Sequence, residues 1–517
     1  MTVDLPQGRD VENDPAVQVD GFGYRFAERD EPTLHDVCFS LPRGSFTVVA
    51  GRTGSGKSTL LRALAGLIPH HSSGVMDGTI RIAGHDTRRM SSAELASLVG
   101  LILQSPDDQI CTTSVEAEIA FGLENLALDP KEIAGRIQAA LIRFGLVGLR
   151  GFAPGELSGG LRQRLVLAAV AAMHPQVLVC DEPLSQLDPQ SARSFLEELK
   201  RMQSAGTTVI VAEHHLSEVL PHADRVLVVD DGRLTADVAT SDEARVASVL
   251  KPLRFDDRTP RSVATAKART ESPLVATLSG ISLHYPNGIA DVWHRLNAEI
   301  RRGERIALVG PNGSGKSSLL AVLAGALPST EGRLQITAAA DRWPATLVPQ
   351  QVDLTLFSRN VRDELAYGPR QLRLNSAMIE QRVMAAAQRF QLEPLLTEPP
   401  QALSRGQRVR TALAAAFACR PTLLLLDEPT TGQDAPTIAA LMASLCATVG
   451  TVDGPDALVF STHQLSLARR YADRVWLLRD GRLHEFAAAD FRGTLLDDDM
   501  PSRDLPSGDK PEDGEPR

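Results

Sequence analysis

The chain has no apolar run long enough to cross a bilayer. Its longest runs, residues 165–173 and 413–419, fall well short of the ~18 residues a spanning helix needs. The first fifteen residues, MTVDLPQGRDVENDP, are polar and acidic and do not resemble a secretory signal. The expectation is a chain that stays in the cytosol, so that work at a membrane would need another protein to hold it there. Basic excess is also lacking. A net charge of −10 with 4% aromatics argues against general nucleic-acid binding. The five cysteines, Cys38, Cys111, Cys180, Cys419 and Cys446, form no C-x-x-C. They read as reduced core thiols rather than a disulfide framework or a metal site.

What is present is one glycine-rich motif, twice. GRTGSGKST occupies residues 51–59 and GPNGSGKSS residues 310–318. Both fit G-x-x-x-x-G-K-[ST], in which backbone N–H groups wrap nucleotide phosphates, the lysine reaches the β/γ-phosphates and the hydroxyl takes Mg²⁺. Gly51, Gly54, Ser55 and Gly56 shape the first loop, which Lys57, Ser58 and Thr59 close. Gly310, Asn312, Gly313, Ser314 and Gly315 shape the second, closed by Lys316, Ser317 and Ser318. A short apolar run precedes each loop (FTVVA, RIALV) and a helix-like run follows it, over residues 60–67 and 319–327. Strand, loop, helix is the order that aims a helix N-terminus at phosphate.

The repeat extends beyond the loops. Lys57 and Lys316 lie 259 residues apart; Gln104 and Gln350, Ser158 and Ser404, Asp181 and Asp427 each lie 246 apart; ADRV recurs at an offset of 249. The order of motifs is the same, so a domain is duplicated. The second copy has 34 residues from lysine to glutamine against 47 in the first, which predicts a trimmed β-rich segment. The reading is a first domain over 1–239, a linker over 240–273, a second domain over 274–496 and an acidic, disordered tail over 497–517 with eight acidic and three basic residues.

Each copy has an apolar run ending in a carboxylate pair: VLVC before Asp181-Glu182 and LLLL before Asp427-Glu428. The first acid of each pair suits the Mg²⁺ shell, and the second suits orienting and deprotonating the attacking water. Upstream stand LSGGLRQR, from Leu157, and LSRGQRVR, from Leu403, each opening a helix-like run. Phosphate loop, glutamine, LSGGQ-like signature, Asp-Glu-Pro and then histidine, in this order, resemble the ATPase domains of ABC proteins over both halves.

The resemblance implies an α/β protein with two tandem ABC ATPase domains. Each has a RecA-like core, an antiparallel β subdomain and a helical signature subdomain. It also implies ATP and Mg²⁺ as cofactors and head-to-tail pairing of the halves around two ATP molecules. Site one would use Lys57, Ser58, Gln104, Asp181, Glu182 and His214, closed by Ser404, Gly406 and Gln407. Site two would use Lys316, Ser317, Gln350, Asp427, Glu428 and His463, closed by Ser158, Gly159 and Gly160. Tyr24 and Tyr285 lie 33 and 31 residues before the loop lysines, where the family stacks an aromatic on adenine. Leu161 stands where the family usually has Gln, and Arg405 where it usually has Gly.

The segment after Gln104, QSPDDQICTTSVEAEIAFG, and its weaker counterpart after Gln350 are similar to the ATPases of energy-coupling factor importers, which take up vitamins or transition metals. That class implies a transmembrane coupling protein and a membrane substrate-binding component as partners, no nucleic acid, and a place on the cytoplasmic face of the membrane. The alternatives are the fused ATPase of a sugar importer, in which one half commonly lacks catalytic residues, and a soluble tandem ABC protein acting on ribosomes.

Overall fold

Strands whose residues are all apolar tend to be buried on both faces, and that requires a parallel sheet covered by helices. FTVVA and TVIVA are of this kind, and every residue of both is buried. The computed structural model describes residues 14–28, 30–185, 187–214, 216–253, 272–285, 292–339, 341–430 and 435–491. It divides into two compact units, the first over the described residues up to 253, the second over those from 272 on.

In the first unit, strands β1 (Val17–Phe26), β2 (Leu34–Leu41), β4 (Gly74–Ile82) and β5 (His85–Asp86) form an antiparallel sheet in the order β2-β1-β4-β5. Buried residues recur every second position along the latter part of β2, so one face packs and the other is wet. The second sheet contains β3 (Phe46–Ala50), β6 (Val99–Ile102), β7 (Val177–Asp181), β8 (Thr208–Ala212), β9 (Arg225–Asp230) and β10 (Arg233–Ala239). Its order is β10-β9-β3-β8-β7-β6, parallel except for the β9–β10 pair. Three helices, Val115–Asn125, Pro130–Arg143 and Gly159–Ala172, pack through Ile119, Leu123, Leu141 and Leu165.

The second unit repeats the plan. Strands β11 (Leu274–Leu283), β12 (Trp293–Arg301) and β14 (Glu331–Ile336) form a three-stranded antiparallel sheet. Strands β13 (Arg305–Val309), β15 (Ala345–Val348), β16 (Leu423–Leu426), β17 (Ala457–Ser461), β18 (Arg474–Arg479) and β19 (Arg482–Ala487) form the six-stranded one, in the order β15-β16-β17-β13-β18-β19. This is the order of the first unit read from its other edge. Among the described residues the smaller sheet lacks a counterpart of β5, and the first unit's helix Ser92–Leu98 has none either, as the shorter lysine-to-glutamine spacing predicts. Helices Val361–Gln371, Ser376–Arg389 and Arg405–Ala418 form the second helical subdomain.

Ordered structure runs past residue 239. A helix over Glu243–Leu250 buries Val246 and Leu250 against the first unit's core. Residues 254–271 of the expected linker and the acidic tail lie outside the described residues.

Candidate functional site

Both phosphate loops sit at the carboxyl ends of central parallel strands, where open α/β sheets place their ligands. Each loop lysine is the first residue of its helix, Lys57–Leu64 or Lys316–Leu323. The residue before it is in the left-handed region, with φ 102° at Gly56 and 91° at Gly315, which only glycine adopts without strain. A Cβ at Gly56 would also meet Leu34, and one at Gly315 would meet Trp293. At Gly51 and Gly310 a Cβ would collide with the backbone carbonyls of Val229 and Leu478. The glycines therefore let each loop lie flat on the sheet edge.

The lysines are held across their own loops. Lys57 Nζ donates to the carbonyls of Gly51 and Arg52, both at 2.9 Å. Lys316 Nζ donates to those of Gly310 (2.9 Å) and Pro311 (3.0 Å). The ammonium is thus placed beside the loop N–H groups. Ser55 Oγ and Ser314 Oγ are buried and have no partner among the described residues, as fits hydroxyls that turn to an incoming phosphate. Thr59 is buried in the first helix turn, Asn312 and Gly313 are exposed on the second loop, and Gly54 faces open space.

Asp181 ends β7, and Asp427 directly follows β16. Ser58 Oγ donates to Asp181 Oδ1 at 3.1 Å; Ser317 hydrogen-bonds to Asp427 in the same way. Burial pushes both carboxyls above the ordinary aspartate value, while these hydroxyls and the loop lysines pull the other way. An acid still raised beside a lysine is one whose charge is under-compensated. A hydroxyl, a carboxylate and phosphate oxygens together suit a hard cation such as Mg²⁺.

Glu182 and Glu428 are non-glycine residues in the left-handed region, with φ 47° and 45°. That conformation is strained and recurs at functional sites. Here the same strain appears at the same position in both copies. Gln104 Nε2 donates to Glu182 Oε2 at 2.8 Å, and His214 Nε2 lies 2.9 Å from Oε1, off the hydrogen-bond direction. His463 Nδ1 meets Glu428 Oε2 at 3.0 Å. Burial acts to raise the Glu428 carboxyl, but the His463 ring and then Lys316 outweigh it and hold it below the usual carboxylate range. Gln350 is exposed at the end of β15, so the glutamine that reaches the glutamate in the first unit has no such recorded bond in the second.

The signatures open their helices. Ser158 caps the helix Gly159–Ala172, accepting from Leu161 N at 3.4 Å. Ser404 accepts from Gln407 N at 3.4 Å, and Gln407 Oε1 accepts from Ser404 N at 2.8 Å, closing a capping box. Gln407 therefore fastens the signature turn of its own unit. Leu161, its counterpart, has no side-chain acceptor and packs on the core instead. Gly160 and Gly406 are partly exposed in the first turns, and the recorded hydrogen bonds of both serines stay within the signature turn.

One predicted residue is misplaced. Tyr24 is 1% exposed in β1, its hydroxyl donating to Ser72 O at 3.1 Å; a ring packed in the core offers no face to adenine. Phe26, two residues on at the strand end and half-buried, is the better-placed aromatic. Tyr285 is 43% exposed, with its hydroxyl 3.0 Å from Ser318 Oγ at the loop. Phe26 lies 259 residues before Tyr285, the offset that joins the loop lysines, and that offset was the signal that would have found it.

A glycine loop capping a helix, a lysine bridging it, and strained carboxylates at the ends of neighbouring parallel strands define a phosphate-loop nucleoside-triphosphatase. The profile of the family described as ABC transporter matches residues 34–185 and 293–431. A Methanosarcina acetivorans protein, provisionally named an ABC transporter ATP-binding protein, is 35% identical over 92% of this chain and 85% of its own. A Bacillus subtilis protein provisionally named for HMP/thiamine import is 31% identical over 90% of each. The archaeal ribosome recycling factor aABCE1, solved with the stalk protein aP1, shares the tandem fold over 90% of each chain at TM-score 0.61 and 20% identity. The chain belongs to the ABC transporter family, and its two domains are ATP-hydrolysing cassettes.

Proposed function

We propose that the chain energises a membrane importer of the energy-coupling factor class, for vitamin or transition-metal uptake, by ATP-driven closing and opening of its two domains at the cytoplasmic face of the membrane. The observation that carries the reading is the surface downstream of each glutamine. Among the described residues no helix is long and apolar enough to cross a membrane. Yet Leu354 (78%), Phe357 (62%) and Tyr367 (46%) are exposed on the segment after Gln350, the two rings in edge contact at 4.9 Å, and Phe121 is 48% exposed at the counterpart of Tyr367. Large apolar groups gathered in this way mark an interaction surface, and a membrane coupling protein fits it. The full-length likeness to a protein named for HMP/thiamine import supports the same reading.

The two halves pair head to tail, each signature closing the other's ATP. Lys57 and Lys316 bind the β/γ-phosphates, and Ser58 with Asp181, and Ser317 with Asp427, are the oxygen donors for Mg²⁺. When bound, the ion supplies charge neutralisation on the phosphates. Glu182 and Glu428 orient the attacking water and accept its proton as the bond from the γ-phosphorus to the bridging oxygen breaks. Gln104 and His214, and His463 in the second site, hold those carboxylates. Co-expression with the membrane proteins encoded beside the chain tests the reading: a complex that takes up a vitamin or metal ion and hydrolyses ATP is expected. Association with ribosomes and with no membrane protein would overturn it.

A further inference from the structure

The two sites differ where their fourth strands end. In β17, Ser461 is fully buried, and its hydroxyl does two jobs: it donates to Asp427 Oδ1 at 2.7 Å and accepts from Glu428 N at 2.8 Å. In β8 the position is Ala212, paired in register with Asp181. There Glu182 N donates to the Ala212 carbonyl at 2.9 Å, and the recorded side-chain hydrogen bond of Asp181 among the described residues comes from Ser58. The next position differs too. Glu213, 1% exposed, accepts from His214 N at 2.9 Å and Leu184 N at 3.3 Å, whereas Thr462 Oγ1 accepts from Gln464 N at 3.0 Å. The first site is thus tied through a loop-bracing carboxylate, and the second through a hydroxyl on the metal-side acid.

We propose that Ser461 is a positioning residue of the second site: its hydroxyl locks the rotamer of Asp427 and the strained backbone of Glu428 together, so that the second site takes Mg²⁺ with nucleotide more readily than the first. The physical ground is preorganisation. A buried carboxylate oxygen fixed by a charge-assisted hydrogen bond loses little freedom when a cation arrives, and such a bond is strong in a dry site. Ser461 acts through its two neighbours, Asp427 and Glu428. Because both residues that it joins succeed one another in sequence, one atom sets both the metal side and the water side of the site. Ala212 has no hydroxyl to offer Asp181, and it holds Glu182 N only through its backbone carbonyl.

The inference rests on the nucleotide reading above, and the test keeps the two apart. In the full chain carrying Lys57→Ala, which leaves the second site to bind, a fluorescent ATP analogue is titrated without and with Mg²⁺, and Mn²⁺ binding is followed by electron paramagnetic resonance. Ser461→Ala should leave metal-free binding unchanged and raise the Mg²⁺ concentration for half-saturation about tenfold, the effect of one hydrogen bond to a charged group; Ser461→Thr should stay near the parent. In the Lys316→Ala background, Ala212→Ser should lower the Mg²⁺ requirement of the first site, an arm that holds even where Ser461→Ala folds poorly. Unchanged Mg²⁺ curves for both Ser461→Ala and Ala212→Ser, or equal losses for the alanine and threonine variants, would overturn the proposal. A Lys57→Ala parent that binds no nucleotide at any Mg²⁺ concentration would instead overturn the paired-site reading.

Discussion

At the scale of single residues, an offset of 259 joins Phe26 to Tyr285 as it joins Lys57 to Lys316, and burial decides what each aromatic can do. Phe26→Ala should weaken ATP binding by up to about tenfold, the worth of one ring contact, and lower the melting temperature less than Tyr24→Ala, since the ring is only partly packed on the core. Tyr24→Ala should cost about 3–5 kcal/mol of stability as a large buried ring is lost, with the smaller effect on nucleotide; nucleotide titration and thermal melts on both variants separate them. The cysteines follow the same logic. Cys38 and Cys111 are exposed, contrary to the core-thiol expectation, because their strand and loop positions face outward; burial and then Glu118 still raise the Cys111 thiol, while burial pushes the Cys419 and Cys446 thiols up to about 11 and raises Cys180 further still. Since the thiolate is the nucleophile, maleimide at pH 8 should label the two exposed thiols first in the native chain, Cys111 more slowly than Cys38, and all five in denaturant. Fast labelling of Cys180 would show that β7 opens.

At the scale of elements, the segment after each glutamine is tied to the signature helix by an ion pair in the same place. Arg162 Nε lies 3.2 Å from Asp107 Oδ1, and Arg408 Nε lies 3.1 Å from Asp353 Oδ1. Beneath, Glu118 Oε2 accepts from Cys111 N and Thr112 N, and Glu364 Oε2 from Phe357 N and Ser358 N. A partner seated on this segment, as proposed, would therefore pull on the signature. Asp353→Arg should weaken capture of the membrane partner while ATP binding persists and stability moves by about 1 kcal/mol or less; adding Arg408→Asp should restore capture, read by co-purification. These ties show what a sequence conceals. The strands, loops and carboxylate pairs were legible because all-apolar runs and G-x-x-x-x-G-K-[ST] are local. The capping role of Gln407 needs a turn geometry, and the bond from Ser461 to Asp427 spans 34 residues and exists only because β16 and β17 are neighbours. Tyr24 differs because counting back from the lysine does not fix how far along β1 a residue stands: Phe26, on the same face two residues on, reaches the strand end, and Tyr24 stays in the core.

At the scale of the molecule, two sites built from one plan need not share the work equally. Lys57→Ala and Lys316→Ala each remove a phosphate grip, and if the halves close only when both are filled, either change should reduce ATPase activity strongly. Glutamine at the glutamate positions leaves nucleotide bound and asks a different question, namely which site turns over. The second site has the Ser461 tie and a Glu428 carboxyl held ionised by His463 and Lys316 against its burial. Under the proposed pairing it is closed by Ser158, Gly159 and Gly160, whose backbone approaches phosphate with no side chain at either glycine. Under the same proposed pairing the first site would be closed by a signature with Arg405 in place of the first glycine. Steric room and preorganisation therefore both favour the second. Glu428→Gln should lower the steady-state rate by about tenfold or more, as loss of a general base does, and Glu182→Gln by only about twofold. Equal losses, or a larger loss with Glu182→Gln, would reverse the ranking. Arg405→Gly then separates the causes: a faster first site means that the side chain crowds the phosphate, and a slower one means that the guanidinium was holding it.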